Sequence, residues 1–273
     1  MTSQVDPSPR PAEVMLGIEL ADGWVVTSAM PMAGDATGST FSVPYIVERD
    51  VDGHVQRAFL KALDIAKLTT IGHDVARALM LGTVSYEHEK NIVLRCGARQ
   101  MSNVVKGISA AEIAIPTHRF HPSFGVLATV PYLIFECADG DVRAAIERNG
   151  SVFDEAWSLN VMHGIAKGIS QLHSMKISHQ DVKPSNIMTF GDMAKVGDLG
   201  RASDGEAGTL FAGPGNQGDS TYAPPELLYD HTQTNDLIRR WACDIYHVGS
   251  MAVFLATGTG MTPLIFKELD PAF

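Results

Sequence analysis

The amino-acid sequence predicts an α+β fold in two lobes, with strands concentrated in the first part and helices in the second. Residues 24–65 contain short apolar runs separated by turn residues, as in a β-hairpin. Residues 154–173 instead place their apolar side chains at helical spacing. Because the pattern changes after Gly140, we expect a first lobe over residues 21–136, a second over residues 137–273, and a ligand-binding cleft between them.

Composition indicates a disordered tail, the absence of nucleic-acid binding and the cellular compartment to expect. Residues 1–20 are expected to form a disordered tail, since they begin with the polar stretch MTSQVDPSPRPA, which lacks the apolar run of a signal peptide. The formal net charge of −10, without a dense Lys/Arg run, predicts that the protein does not bind nucleic acid. Cys96, Cys137 and Cys243 form no Cys-x-x-Cys pair, which favours a reducing cytoplasm and indicates neither disulfides nor a zinc site.

The secondary structure follows from turn signals and periodicity. Residues 45–49 and 56–65 are predicted to pair as a hairpin across the turn sequence Asp-Val-Asp-Gly. Residues 126–136 are strongly apolar and predict one or two strands that end at a hinge. Asp154 is a suitable N-cap for the predicted helix over residues 154–173. The first lobe is therefore expected to be rich in strands and the second to be mainly helical.

One late segment, residues 245–266, is apolar and uncharged over a length that resembles a membrane span. Gly249, Gly258 and Pro263 interrupt it, however, and the sequence GTGMTP is typical of a turn. A buried core helix over residues 244–256 is therefore the preferred prediction, and no membrane association is expected.

A lysine and a glutamate are predicted to face inward in the first lobe. Strand alternation places Lys61 on one face with Phe59 and Leu63, where an unpaired ammonium group would be costly to desolvate. On the predicted helix over residues 84–96, Glu89 lies on the apolar stripe and is a candidate partner. The alternative is a solvent-exposed lysine on an edge strand and a surface glutamate.

The most informative segment is His-Gln-Asp-Val-Lys-Pro-Ser-Asn over residues 179–186, followed by Asp198-Leu199-Gly200. One carboxylate, Asp181, can accept a proton from a substrate hydroxyl group. An amide oxygen of Asn186 and the carboxylate of Asp198 can hold Mg²⁺. This combination suits transfer of a phosphoryl group. Taken separately, each piece is equally compatible with an ordinary polar loop.

These motifs, in this order, resemble the protein kinase superfamily, and Lys183 resembles the lysine of its serine/threonine members. The resemblance implies a two-lobed protein-kinase-like fold that uses ATP and Mg²⁺. It implies catalytic roles for Asp181 and Lys183, and metal binding by Asn186 and Asp198. The residues that it implies for ATP binding are Lys61, Glu89, Gly34, Gly38, Glu136 and Cys137. For Gly34 and Gly38, an ordinary β-turn is an open alternative.

The sequence departs from the family pattern at three places. Gln180 stands where the family has an arginine that pairs with activation-loop phosphate. The usual Gly-Thr before the Ala-Pro-Glu motif is here Gly-Asp-Ser-Thr, which leaves open which hydroxyl group contacts Asp181 and Lys183. Only 29 residues follow Asp244, so the second lobe is expected to be incomplete. Glu226 would then be a buried carboxylate without its arginine partner.

The resemblance implies an ATP-dependent enzyme that phosphorylates serine or threonine in protein substrates. A partner subunit or a missing C-terminal region is expected to complete the second lobe. The main alternative is a catalytically impaired pseudokinase that acts as a binding or scaffold module. A phosphotransferase acting on small molecules is a third possibility, although the Lys-Pro and Pro-Glu pairs favour protein substrates.

Overall fold

A computed structural model describes residues 9–30, 41–148, 154–206, 210–229 and 235–269 of the chain. Contacts divide the chain into two compact units, one formed by residues 1–90 and 107–137, the other by residues 91–106 and 138–273. The division differs from the predicted boundary, because residues 91–106 belong with the second unit. Val104 and Val105 explain the difference, since both pair through their backbones with Val196 of the second unit.

The first unit is built on a five-stranded antiparallel sheet in the order β1-β2-β3-β5-β4. Its elements are β1 (Val25–Ala29), β2 (Ser42–Val51), β3 (His54–Leu63), α1 (Ile65–Thr70), β4 (Gly107–Ala114) and β5 (Thr129–Glu136). The predicted hairpin is confirmed, with Val51 paired to His54. Asp52 and Gly53 take φ values of 54° and 79°, as a tight two-residue turn requires.

The hydrophobic core of the first unit lies on one face of this sheet. Ala58, Leu60 and Ala62 of β3 are fully buried there, as strand alternation predicts. The same core contains Met15, Ile18, Leu20 and Trp24, which precede the first strand. The prediction of a disordered tail through residue 20 is therefore wrong for the described residues from 9 onwards. Apolar side chains within that segment provide the energy that orders it.

Helix α2 (Val75–Ala98) begins in the first unit and ends in the second. It is longer than the predicted helix over residues 84–96. The second unit contains mainly helices and one small sheet. Its elements are β6 (Gly140–Asp141), α3 (Val142–Arg148), α4 (Glu155–Ser174), β7 (Ile187–Phe190), β8 (Met193–Val196), α5 (Pro225–Leu228), α6 (Asp236–Thr257) and α7 (Met261–Glu268).

Helices α4 and α6 form the centre of the second unit. The Asp154 side chain accepts a hydrogen bond from the Trp157 N–H at 3.0 Å, which confirms the predicted N-cap of α4. Met251, Phe254 and Leu255 of α6 are buried, which confirms a core helix that starts earlier than predicted. Within the described residues, no single helix is long and apolar enough to cross a membrane, and α6 with α7 meet that test only as a pair bent by 83°.

Candidate active site

In the first unit, Lys61 and Glu89 form the predicted ion pair. The Lys61 Nζ atom lies 2.8 Å from Glu89 Oε1 and 3.0 Å from Oε2. The two side chains are only 13% and 11% exposed, so the pair is largely shielded from water. Strand β3 aims Lys61 away from the face that carries Leu60, and the periodicity of α2 turns Glu89 inward with Tyr86. The alternative of two solvent-exposed side chains is wrong.

In the second unit, Asp181 is held by a dense set of contacts. The Asn186 Nδ2 group donates to the Asp181 backbone oxygen at 2.8 Å and to Oδ2 at 3.1 Å. The Lys183 ammonium group lies 3.2 Å from the same Oδ2 atom. The short 3-10 turn Pro184–Asn186 returns the chain so that Asn186 can reach back to Asp181. Burial is the largest influence on the Asp181 carboxyl and raises its pKa.

Asp244 of α6 fixes the backbone that carries Asp181. Its Oδ2 atom accepts the His179 N–H at 2.8 Å, and its Oδ1 atom accepts the Gln180 N–H at 2.7 Å. Asp244 therefore braces this loop through two backbone hydrogen bonds. The His173 ring adds a third contact, with Nε2 at 2.8 Å from Asp244 Oδ2. A fully buried carboxylate with three donors is a rigid anchor for the loop.

Asp198 and Asn186 are brought close together at one end of the β7–β8 hairpin. The Gly197 N–H donates to the Asn186 backbone oxygen at 2.8 Å, and Asp198 follows directly with φ of 52°. Both Nδ2 contacts of Asn186 go to Asp181, so the Asn186 Oδ1 atom is the one that suits a cation. One carboxylate and one amide oxygen fit Mg²⁺, which takes its remaining ligands from phosphates and water. The described residues contain no all-protein cluster of three His, Cys, Asp or Glu ligands.

Gln180 takes the place of the expected arginine and binds backbone oxygens instead of phosphate. Its Nε2 group donates to the Arg201 oxygen at 3.1 Å and to the Phe211 oxygen at 3.0 Å. Gln180 thus connects the Asp181 loop to the segment after Asp198. The segment is tied to the loop by uncharged contacts.

The open question about a hydroxyl contact to Asp181 and Lys183 has an unexpected answer. Within the part of the chain that the structure describes, these contacts come from Asp219. The Asp219 N–H donates to Asp181 Oδ1 at 2.8 Å, and its Oδ2 atom lies 3.4 Å from Lys183 Nζ. A carboxylate therefore stands where the sequence comparison led us to expect a hydroxyl group.

These features agree with the comparison of the sequence with known protein families. The family described as Protein kinase domain matches residues 79–267. The chain belongs to this family. The kinase domain found here is 30% identical over 131 residues to a Wee1-like protein kinase from Arabidopsis thaliana, an alignment that covers 48% of this chain and 24% of that protein.

Two other relatives show how far the similarity extends. CBL-interacting protein kinase 22 from Oryza sativa subsp. japonica is 25% identical over 273 residues, covering 89% of this chain and 58% of the relative. The probable cyclin-dependent kinase 8 from Dictyostelium discoideum is 32% identical over 155 residues, covering 51% and 37%. The chain thus spans between about a quarter and somewhat more than half of these relatives.

The residues predicted to bind ATP in this kinase domain also include Gly34, Gly38, Glu136 and Cys137. Gly34 and Gly38 lie outside the described residues. Glu136 ends β5, where it pairs with Ala58, and Cys137 follows it; the predicted role of both in binding ATP stays a prediction. Glu226 is exposed in α5, so the expectation of a costly buried carboxylate at this position is wrong.

Sequence reasoning missed two buried arginines at the start of α6. Arg239 donates to the Gly213 oxygen at 2.8 Å and to the Gly215 oxygen at 3.2 Å. Arg240 donates to the Ser203 oxygen at 2.8 Å. Asp236, one turn away, accepts from both guanidinium groups at 2.7 Å. An Asp-x-x-Arg-Arg run within an amphipathic helix was the available signal, since it places one aspartate within a turn of two arginines that need partners when buried.

Proposed function

We propose that this chain is an ATP-dependent protein kinase that transfers the γ-phosphate of Mg-ATP to serine or threonine hydroxyl groups of protein substrates. The observation that carries the proposal is the geometry around Asp181. This carboxylate contacts both Lys183 and Asn186, within 3.2 Å, on a loop that Asp244 anchors. A carboxylate held in this way can accept the proton of a hydroxyl group as the phosphoryl group is transferred.

Each unit contributes a distinct chemical role. Lys61, held by Glu89, is suited to bind the α- and β-phosphates of ATP, and Glu136 and Cys137 to bind the adenine edge through their backbones. In the second unit, Asn186 and Asp198 would hold Mg²⁺, which neutralises charge on the phosphates. Lys183 supplies a second positive charge beside the base. Phosphoryl transfer is mainly positioning and electrostatics, so retention of these groups supports activity.

Serine/threonine specificity rests on Lys183 and on the resemblance described above. A partner subunit or further C-terminal chain stays a prediction, as does the cytoplasmic location. The alternative of a binding or scaffold module draws on the incomplete glycine pattern around Gly34 and Gly38 and on Gln180, which replaces an arginine of the family. We favour the enzyme because Asp181 keeps contacts with Asn186 and Lys183 in this chain.

The test is phosphate transfer from Mg-ATP to a generic protein and to small acceptors. We expect transfer to protein serine or threonine, and a loss of about 10²–10⁴-fold in kcat for Asp181→Asn. Lys61→Met should reduce kcat and weaken ATP binding together. Asp192→Asn is the matched control, because Asp192 is exposed in the β7–β8 turn and should leave the rate unchanged.

Three outcomes would contradict the proposal. Absence of phosphate transfer by the wild type would contradict the hypothesis that the chain is an enzyme. A rise in melting temperature with ATP would then support a binding module. Transfer to small acceptors alone would support a small-molecule phosphotransferase. Phosphate found on tyrosine alone would contradict the proposed specificity.

A further inference from the structure

The chain segment that carries Asp219 lies directly against the loop of Asp181. A Cβ atom built on Gly218 would lie 2.3 Å from the Gln180 oxygen and 2.9 Å from Asp181 Oδ1. Only glycine allows this approach, because the first of these contacts is with backbone. The next residue, Asp219, is thereby placed so that its N–H donates to Asp181 Oδ1 at 2.8 Å.

The Asp219 side chain is also fixed. Its Oδ1 atom accepts the Thr221 N–H at 2.9 Å, and its Oδ2 atom faces Lys183 Nζ at 3.4 Å. Burial alone would raise the pKa of Asp219, but the Thr221 N–H and the charge of Lys183 outweigh it and hold the pKa below its ordinary value. Asp219 is therefore a carboxylate with a defined orientation.

Lys183 is shared between two carboxylates. Its ammonium group lies 3.2 Å from Asp181 Oδ2 and 3.4 Å from Asp219 Oδ2, and its side chain is only 2% exposed. A buried ammonium group has a desolvation penalty of several kcal/mol that an opposite charge must offset. A hydroxyl group in place of Asp219 would supply a dipole without a charge. The location of Lys183 therefore depends on Asp219 as well as on Asp181.

We propose that Asp219 is a positioning residue for phosphoryl transfer, which holds Lys183 beside Asp181 through an ion pair. The inference rests on the proposed kinase function and deepens it. Asp219 fixes the orientation of the pair formed by base and lysine, and it acts on the reaction through them. Its removal should lower kcat while the KM for ATP changes little, because among the described residues its contacts are with Asp181, Lys183 and the neighbouring turn.

The experiment uses the full chain with Asp219→Asn, Asp219→Thr and Asp219→Glu, and with Ser220→Ala as the control at the exposed neighbouring position. We expect Asp219→Asn and Asp219→Thr to lower kcat about tenfold, with the KM for ATP within about twofold of the wild type. Asp219→Glu should recover part of kcat because it keeps the charge. Ser220→Ala should match the wild type.

A second readout does not depend on activity. An amine-reactive acyl ester, with modification mapped by mass spectrometry, reports how strongly Lys183 is held. We expect Asp219→Asn to be acylated at Lys183 about tenfold faster than the wild type, since loss of the carboxylate removes one of the two ion pairs that hold the ammonium group in place. Lys61 in the same samples is the internal reference and should be unchanged.

The outcomes separate the two proposals. Full activity of Asp219→Asn or Asp219→Thr, or an unchanged rate of Lys183 acylation, would overturn the ion-pair role of Asp219 while leaving the kinase function intact. A wild type that transfers no phosphate would overturn the proposed function. The acylation rates would then still decide whether Asp219 holds Lys183.

Discussion

Gln180 has φ of 64°, a left-handed backbone conformation that costs a non-glycine residue about 1–2 kcal/mol. Its contacts offset that cost. The N–H binds Asp244, and the side chain binds the oxygens of Arg201 and Phe211. Because Phe211 belongs to the segment between Asp198 and Glu226, Gln180 orders part of that segment without a phosphate group.

We expect Gln180→Met, which keeps the side-chain length but removes both donated hydrogen bonds, to lower the free energy of unfolding by about 1–3 kcal/mol. It should also speed proteolytic cleavage between residues 203 and 220. Gln217→Met is the matched control, because Gln217 also donates to two backbone oxygens but at an exposed site. Its effect should stay below about 0.5 kcal/mol. Equal effects of the two variants in urea unfolding and limited proteolysis would contradict the anchoring role.

His247 is a buried, neutral residue whose protonation should destabilise the fold. Burial is the largest influence and lowers its pKa to about 4, although the nearby Asp244 acts in the opposite direction. The ring Nδ1 atom has no hydrogen-bond partner in the part of the chain that the structure describes. His179, Lys183 and Asp219 also act on it, and the Cys243 Sγ atom lies 3.8 Å from its Nε2 atom.

The unfolded state, with an ordinary histidine pKa of 6.5, binds the proton more readily than the folded state. The free energy of unfolding should therefore fall as the pH falls from about 6.5 to 4, by about 2 kcal/mol between pH 7 and pH 5 from this residue. Urea unfolding of the wild type and of His247→Asn at both pH values measures the difference. The same pH dependence in both proteins would rule out His247 as the cause.

For individual residues, the sequence correctly predicts the position of a side chain when that position follows from a short local pattern. Lys61 was placed by strand alternation and Glu89 by helix periodicity, and the two meet as predicted. Asp219 could not be predicted in the same way. Its position depends on how closely the Gly218 backbone approaches Gln180, a contact between segments about 40 residues apart in sequence.

Among the elements, α4 packs unusually close to its neighbours through two glycines. A Cβ atom on Gly164 would lie 2.4 Å from the Ala194 oxygen, and one on Gly168 would lie 2.5 Å from the Asn103 oxygen. Both oxygens belong to the backbone, so they cannot move away from a new side chain without shifting the chain itself. The β7–β8 hairpin that carries Asn186 and Asp198 at its ends is thereby seated on α4.

We expect Gly164→Ala to lower the free energy of unfolding by about 1–3 kcal/mol through overpacking against β8. Gly249→Ala provides the matched control, since it also lies inside a helix but its Cβ atom would meet only Met261 Cε at 3.9 Å. There the gain in helix propensity should stabilise the protein by up to about 1 kcal/mol. Thermal unfolding of both variants measures these changes in stability. Stabilisation by Gly164→Ala would show that α4 and β8 can separate freely.

Elements with strong local signals were predicted well. The hairpin of β2 and β3 follows from the turn sequence, and α4 from its N-cap and apolar stripe. Helix α2 extends nine residues before the predicted start at residue 84. The helix begins directly after Asp74, whose Oδ1 atom accepts the Arg77 N–H at 2.8 Å, an N-cap signal that the prediction did not use.

On the scale of the whole molecule, the stretch before the first strand is part of the fold. Met15, Ile18 and Leu20 complete the core beneath the sheet of the first unit. The Tyr45 hydroxyl group donates to the Ala12 oxygen at 2.8 Å, and the His121 N–H donates to the Pro9 oxygen at 3.0 Å. The polar and proline-rich composition of the first dozen residues hid this role. Composition averages over a window, whereas burial depends on individual side chains.

Deletion of residues 1–23 should therefore destabilise the first unit strongly. The three apolar side chains contribute about 1.5–3 kcal/mol each when buried, a sum comparable with the total stability of many domains. Deletion of residues 1–8 is the matched control, because it leaves the segment from Pro9 onward unchanged. Thermal unfolding, followed by hydrogen exchange of β2 and β3, distinguishes the two proteins. If the longer deletion melts at the same temperature as the control, with equal protection of both strands, then this segment lies on the sheet without stabilising it.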